Sequence, residues 1–135
     1  MSNYNPVVRT RTLARIVGPY LVILGAALFI RKDRLATLLP AFMRDTPLVF
    51  AAGAFTLMAG LSIVAAHHHW RGVAASVISL IGFVAALKGA LLMIAPELGS
   101  ELTALVVQAP VSLMIVADGV MLVGLWLVFV GWLSK

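Results

Sequence analysis

The sequence has no cysteine and unusually few charged residues. Its 135 residues include 10 Lys or Arg and 5 Asp or Glu, so that only 11% are charged. The absence of cysteine excludes disulfides, thiolate metal sites and thiol redox chemistry. A soluble domain averages about 25% charged residues. This low fraction therefore indicates that the surface of the protein faces lipid rather than water.

Common catalytic and nucleotide-binding motifs are also missing from the sequence. It contains no P-loop, no dinucleotide-binding glycine pattern, no zinc-protease histidine pair and no nucleophile elbow. Its hydrophobic segments hold no pair of carboxylates and no matched Gly/Pro interruptions of the kind found in transporter repeats. We therefore expect a protein that is not an enzyme and that holds no cofactor.

Hydrophobic residues make up 62% of the chain and fall into four segments. A helix needs about 20 apolar residues to cross a hydrocarbon core of roughly 30 Å. The expected spans are residues 16–30, 47–66, 72–95 and 110–133. The first is the shortest and depends on flanking arginines that reach the headgroups. We predict an all-α fold in which four transmembrane helices form one bundle and a single integral membrane domain.

Two connecting segments carry local structural signals. After the first span, apolar residues with helical spacing lie between charges, which predicts a short interfacial helix interrupted by Pro40. Asp45 or Thr46 is well placed to cap the second span. Before the fourth span, Ser100 and Glu101 predict a helix start near Glu101, with a bend at Pro110.

Two residues of opposite charge lie deep in the third and fourth spans. Lys88 lies eight residues before Pro96 and Asp118 eight residues after Pro110, so a hairpin would place them at similar depth. Charges inside a bilayer are costly, and each needs a partner or a polar cavity. A proton or ion relay, a structural ion pair that sets helix register, and a lysine that snorkels to the interface all fit. The small number of other polar residues favours the structural ion pair.

Three consecutive histidines, His67, His68 and His69, lie between the second and third spans. Histidines can bind a metal ion or sense pH. However, successive helical residues point about 100° apart, so one helix cannot direct all three at one ion. Because Trp70 and Arg71 follow, the pattern favours an interfacial turn with an aromatic anchor.

Most basic residues lie at the ends of the expected spans. They are Arg9, Arg11, Arg15, Arg31, Lys32 and Arg34. Each attracts anionic headgroups by roughly 1 kcal/mol near the surface, an interpretation that we favour over binding of nucleic acid or a protein. The positive-inside rule is almost balanced between the two sides. The acidic residues at 97 and 101 favour both termini in the cytoplasm.

Small and aromatic residues form stripes on the predicted helices. Gly82, Ala86 and Gly89 share a face of the third span and allow close approach of a neighbouring helix. Near the end of the fourth span, three aromatic residues share one broad face. Lipid contact is the favoured role for this face, with core packing and pigment contact as alternatives. The three residues are Trp126, Phe129 and Trp132.

Several short patterns between residues 14 and 97 occur together. They are Ala14-Arg15-Ile16-Val17-Gly18, Arg31-Lys32-Asp33-Arg34, the turn from His67 to Trp70, the run from Ile81 to Lys88-Gly89, and Pro96-Glu97. In these features the chain resembles a family of small, uncharacterised four-helix bacterial inner-membrane proteins. The resemblance implies a four-helix fold in the inner membrane and brings no established activity.

These observations favour a non-enzymatic accessory or scaffolding subunit of a larger membrane protein complex. Its expected partners are the lipid bilayer, anionic headgroups, and other membrane subunits or further copies of itself, without nucleic acid. The alternative is a small oligomeric channel or transporter that uses Lys88 and Asp118.

Overall fold

A computed structural model describes residues 6–66 and 72–133, and this part of the chain is built from helices alone. The helices are α1 (Pro6–Arg44), α2 (Thr46–Ala66), α3 (Val73–Ile94), α4 (Pro96–Val107) and α5 (Pro110–Val128), followed by a π-helical turn (Phe129–Leu133). Four helices are long and apolar enough to cross a membrane: α1, α2, α3 and α5 with its π-helical turn. The prediction of an all-α fold with four transmembrane helices is confirmed, and the chain is a multi-pass membrane protein.

Helix α1 is much longer than the expected first span. Its 39 residues extend about 58 Å, whereas the sequence suggested a span of 16–30. The short interfacial helix expected after this span is not a separate element, because residues 31–44 continue α1. Arg, Lys, Leu and Ala favour helix formation, and α1 continues through both Pro19 and Pro40. The charges at 31–34 therefore do not end the helix.

The other helices begin at recognisable signals. The backbone N–H of Leu48 donates to Oδ1 of Asp45 at 3.2 Å, so Asp45 caps α2 as expected. Helix α4 begins at Pro96, earlier than the predicted start near Glu101, with Glu97 in its first turn. The bend expected at Pro110 is a complete break between α4 and α5.

The long helices form two antiparallel pairs, α2 with α3 and α1 with α5. Glycines mark the closest crossings. In the first pair Gly53 faces Gly89 and Gly60 faces Ala86. In the second pair a methyl group added to Gly18 would lie 2.8 Å from the backbone nitrogen of Val128. Small residues allow such close packing in a membrane, where an apolar side chain has no preference for protein over lipid.

The two helix pairs meet in a small apolar core. It contains Ala14, Val17 and Leu21 of α1, Ile78 of α3 and Leu127 of α5. Helix α4 connects the end of α3 to the start of α5, so these two ends lie on one side of the membrane. The third span packs mainly on α2 and the fourth mainly on α1, so the two do not form the hairpin assumed from the sequence.

Candidate functional site

Helix α5 has two apolar faces that point in roughly opposite directions. The buried face packs on α1 and includes Leu113, Ala117, Gly124 and Leu127. The exposed face repeats every three or four residues over six turns of helix, the spacing of a helix-packing seam. This exposed α5 face consists of Val111, Ile115, Asp118, Leu122, Leu125, Phe129 and Trp132. Asp118 is thus the one charged residue in a long apolar stripe.

Helix α3 likewise carries one charge on an exposed surface. Gly82 and Gly89 face α2, and Ile78 enters the core between the pairs. Lys88 lies away from these contacts and follows Leu80 and Val84 at steps of four residues. All three side chains are exposed. These three residues form the exposed α3 face.

The structure does not bring Lys88 and Asp118 together. They lie on helices that pack against different partners, α2 and α1 respectively. Neither side chain has a hydrogen bond or an ion pair with any described residue, and both are exposed. The expected structural ion pair between the third and fourth spans is therefore wrong within one chain. The expectation assumed that the third and fourth spans form a hairpin. In the structure α4 lies between them in sequence, and each span packs on a different helix.

Two hydroxyl groups of α2 bond within their own helix rather than to either charge. Thr56 Oγ1 donates to the carbonyl oxygen of Ala52 at 2.7 Å. Ser62 Oγ donates to that of Met58 at the same distance. Such bonds to the carbonyl four residues earlier satisfy a hydroxyl within its own helix. These two groups are consequently used locally.

Arg15 connects α1 to the π-helical turn that follows α5. Its Nε donates to the carbonyl oxygen of Gly131 at 2.8 Å, and its guanidinium carbon lies 5.6 Å from the centroid of the Trp132 ring. A methyl group added to Gly131 would lie 3.0 Å from the backbone nitrogen of Arg15. Arg15 was expected to contact headgroups, and the structure adds protein partners that the sequence did not indicate.

The remaining basic residues stay candidates for headgroup contact. Arg31 and Arg34 are exposed, and Arg11 and Lys32 are partly so. Lys32 Nζ lies 5.5 Å from the centroid of the Phe29 ring. The side chain of Arg9 lies outside the described part. Headgroup binding by these residues remains a prediction.

The expected metal or pH-sensing residues His67, His68 and His69 lie outside the described residues. Within residues 6–66 and 72–133, no three His, Cys, Asp or Glu side chains come close enough to hold a metal ion.

The three aromatic residues near the end of α5 are all exposed. Phe129 and Trp132 belong to the exposed α5 face, and Trp126 lies beside it. Their exposure is compatible with lipid or protein contact, and Trp132 also contacts Arg15.

Two adjoining clefts open where the C-terminal part of α1 meets α4. The larger, of about 420 Å³, has Arg44 and Glu97 on its walls and Phe50 and Leu92 among its apolar residues. The smaller, of about 320 Å³, is lined by residues of α1 and α4 together with Gln108. The sequence did not predict these clefts because it placed residues 31–44 on the membrane surface rather than in α1.

The exposed α5 face also escaped prediction, although its signal was present as a repeat of three and four residues from Val111 to Trp132.

Comparisons of the chain with protein-family models, with curated proteins and with solved structures find no match.

Proposed function

We propose that this protein is a non-enzymatic accessory or scaffolding subunit of a larger complex in a bacterial inner membrane. One observation carries the proposal. Lys88 and Asp118 are exposed, without a described partner, on otherwise apolar faces of membrane-spanning helices. A charge near the centre of a bilayer costs about 2.5–3.5 kcal/mol by insertion scales. A neighbouring membrane protein that offers an opposite charge lowers this cost.

Asp118 needs an oppositely charged partner more than Lys88 does. Lysine has a long aliphatic stem that can reach the interface from within a span. Aspartate has a single methylene group and cannot do so from a position eight residues, or about 12 Å, beyond the start of α5. The apolar residues around Asp118 then provide packing for a second helix. The exposed α5 face is consequently the proposed assembly surface.

Orientation follows from the number of spans. Four spans place the N-terminal end of α1 and the C-terminal end of α5 on one side of the membrane. Basic residues are almost balanced between the two sides. The opposite side carries α4, which holds Glu97 and Glu101 and no Lys or Arg, and this favours a position of α4 outside the cytoplasm. We therefore propose that both termini are cytoplasmic, with the basic residues near the interfaces contacting anionic headgroups.

The test is purification of the full chain from its native membrane in a mild detergent. We expect it to migrate as a complex, and we expect Asp118→Asn to dissociate that complex. The matched control is Asp33→Asn, which removes an exposed carboxylate from α1 in the basic segment outside the assembly surface. Migration of the unaltered protein as a lone monomer would contradict the proposal.

A second candidate function is a small oligomeric channel or transporter. The observation that favours it is the outward position of both charges, because a polar path would then form between chains rather than within one. The test is ion or solute flux in proteoliposomes. Flux that depends on the protein but is unchanged in Lys88→Met and Asp118→Asn would exclude a path lined by these residues.

A further inference from the structure

We propose that the partner at the assembly surface is a second copy of this chain, with Lys88 of one copy facing Asp118 of the next. This inference rests on the proposed function, since it names the partner for the same surface. Deep in its described membrane-spanning helices, each copy exposes one cation, Lys88 on α3, and one anion, Asp118 on α5. A second copy therefore supplies the charge that each of these residues lacks.

Charge complementarity selects which helices meet. If the exposed α5 faces of two copies packed on each other in parallel, their Asp118 carboxylates would come together. Like charges at close range disfavour the ionised form and the contact. The exposed α3 face instead offers Lys88 together with Leu80 and Val84. Contact between α5 of one copy and α3 of the next pairs opposite charges and buries apolar residues on both sides.

The two residues lie at compatible depths. Lys88 lies six residues before the end of α3 at Ile94, and Asp118 lies eight residues after the start of α5 at Pro110. These separations correspond to about 9 Å and 12 Å along the helices. Because α4 joins these two ends, both distances are counted from one side of the membrane. The flexible lysine side chain covers the difference of about 3 Å.

The symmetry of the assembly sets how often the contact occurs. In a two-fold dimer each copy gives its lysine to one contact and its aspartate to the other, so the pair forms twice. In a closed ring the pair forms once at each interface. In both arrangements removal of either charge from every copy removes every pair.

Complementation between copies tests the inference. Full-length Lys88→Met and Asp118→Asn variants, carrying donor and acceptor fluorophores, are expressed alone or together in the same host membrane. We expect about tenfold weaker self-association for each variant alone. Mixing the two should restore part of the association, because Asp118 of the Lys88→Met variant faces Lys88 of the Asp118→Asn variant while the reverse pair stays lost. The double variant mixed with either single variant restores no pair and serves as the control.

Cysteine cross-linking supplies an independent measurement. The natural chain has no cysteine, so single substitutions give unambiguous products. Val84 lies four residues before Lys88 and Leu122 four residues after Asp118, so antiparallel packing of α3 on α5 places them level. We expect a disulfide between a copy with Val84→Cys and a copy with Leu122→Cys. The control pairs the Val84→Cys copy with a Phe55→Cys copy. Phe55 is 74% exposed on α2, outside the proposed contact, so this pair should not cross-link.

The outcomes separate this inference from the proposed function. Restored association and the 84–122 cross-link support pairing between copies. Absence of both, while Asp118→Asn still dissociates a complex with a different protein, overturns the pairing and leaves the subunit function standing. A lone monomer in every experiment overturns both.

Discussion

The side chain of Arg15 donates a hydrogen bond to the carbonyl oxygen of Gly131, a residue 116 positions further along the chain. The bond joins α1 to the π-helical turn that follows α5. In a low-dielectric environment a charged donor strengthens such a bond, and a carbonyl without a partner is costly. The stacking of the guanidinium on Trp132 adds a second contact at the same point.

Loss of this contact should destabilise the protein. We expect Arg15→Met to lower the free energy of unfolding in detergent micelles by about 1.5–3 kcal/mol, the range for a hydrogen bond with one charged partner. Arg15→Lys should recover only part of this, since lysine lacks the planar guanidinium. Arg31→Met removes an exposed arginine from the same helix and should have little effect. Equal effects of the substitutions at 15 and 31 would contradict the structural role.

Glycine crossings should respond sharply to one added methyl group. In Gly60→Ala the new methyl group would overlap the backbone of Ala86, so α2 and α3 must separate. We expect a loss of about 1–3 kcal/mol in unfolding free energy, as for overpacked cores. Gly119→Ala is the matched control, because nothing lies within 4 Å of the added group. Because alanine has a greater helix propensity than glycine, this control should have unchanged or slightly higher stability.

The cap of α2 should contribute measurably to stability. Asp45→Ala removes the acceptor for the Leu48 N–H and should cost about 1 kcal/mol. Asp45→Asn keeps an oxygen acceptor and should be close to the natural protein. Thermal or denaturant unfolding of the three proteins in one detergent tests the difference. Similar losses for both substitutions would indicate that the charge, rather than the acceptor, matters.

The two faces of α5 should give different phenotypes. Leu127 is fully buried against α1, and Leu127→Ala should lower unfolding free energy by about 2–5 kcal/mol. Leu122 is 64% exposed, and Leu122→Ala should leave the stability of the monomer nearly unchanged while weakening self-association. Unfolding and energy-transfer measurements on the same variants separate these effects. A large loss of monomer stability in Leu122→Ala would argue against an exposed face.

Much of the fold was predictable from local signals. Hydropathy placed the second, third and fourth spans within one residue of the candidate spans in the structure. The small-residue stripes indicated close helix packing, and the crossing of Gly60 with Ala86 confirms it. The cap was expected at Asp45 or Thr46, because a position before an apolar run is a local property of the sequence, and the structure shows Asp45 in this role.

The errors arose where the outcome depends on long-range packing. Residues 31–34 carry charges that usually mark the end of a span, yet a helix can continue beyond the membrane, as α1 does. The pairing of Lys88 with Asp118 assumed that consecutive spans pack together. Contacts of α3 with α2 and of α5 with α1 depend on which glycines fit against which backbones. Spacing within one helix does not contain that information.

The two helix pairs can form at different stages of synthesis. Helices α2 and α3 are adjacent in sequence and can associate as soon as both have entered the bilayer. Helix α1 is made earlier, but its partner α5 is made after α2, α3 and α4. Until then the small residues of α1 at Gly18 and Gly25, which α5 later covers, face lipid or the insertion machinery. The earliest helix of this membrane domain thus completes its packing last, when α5 leaves the ribosome.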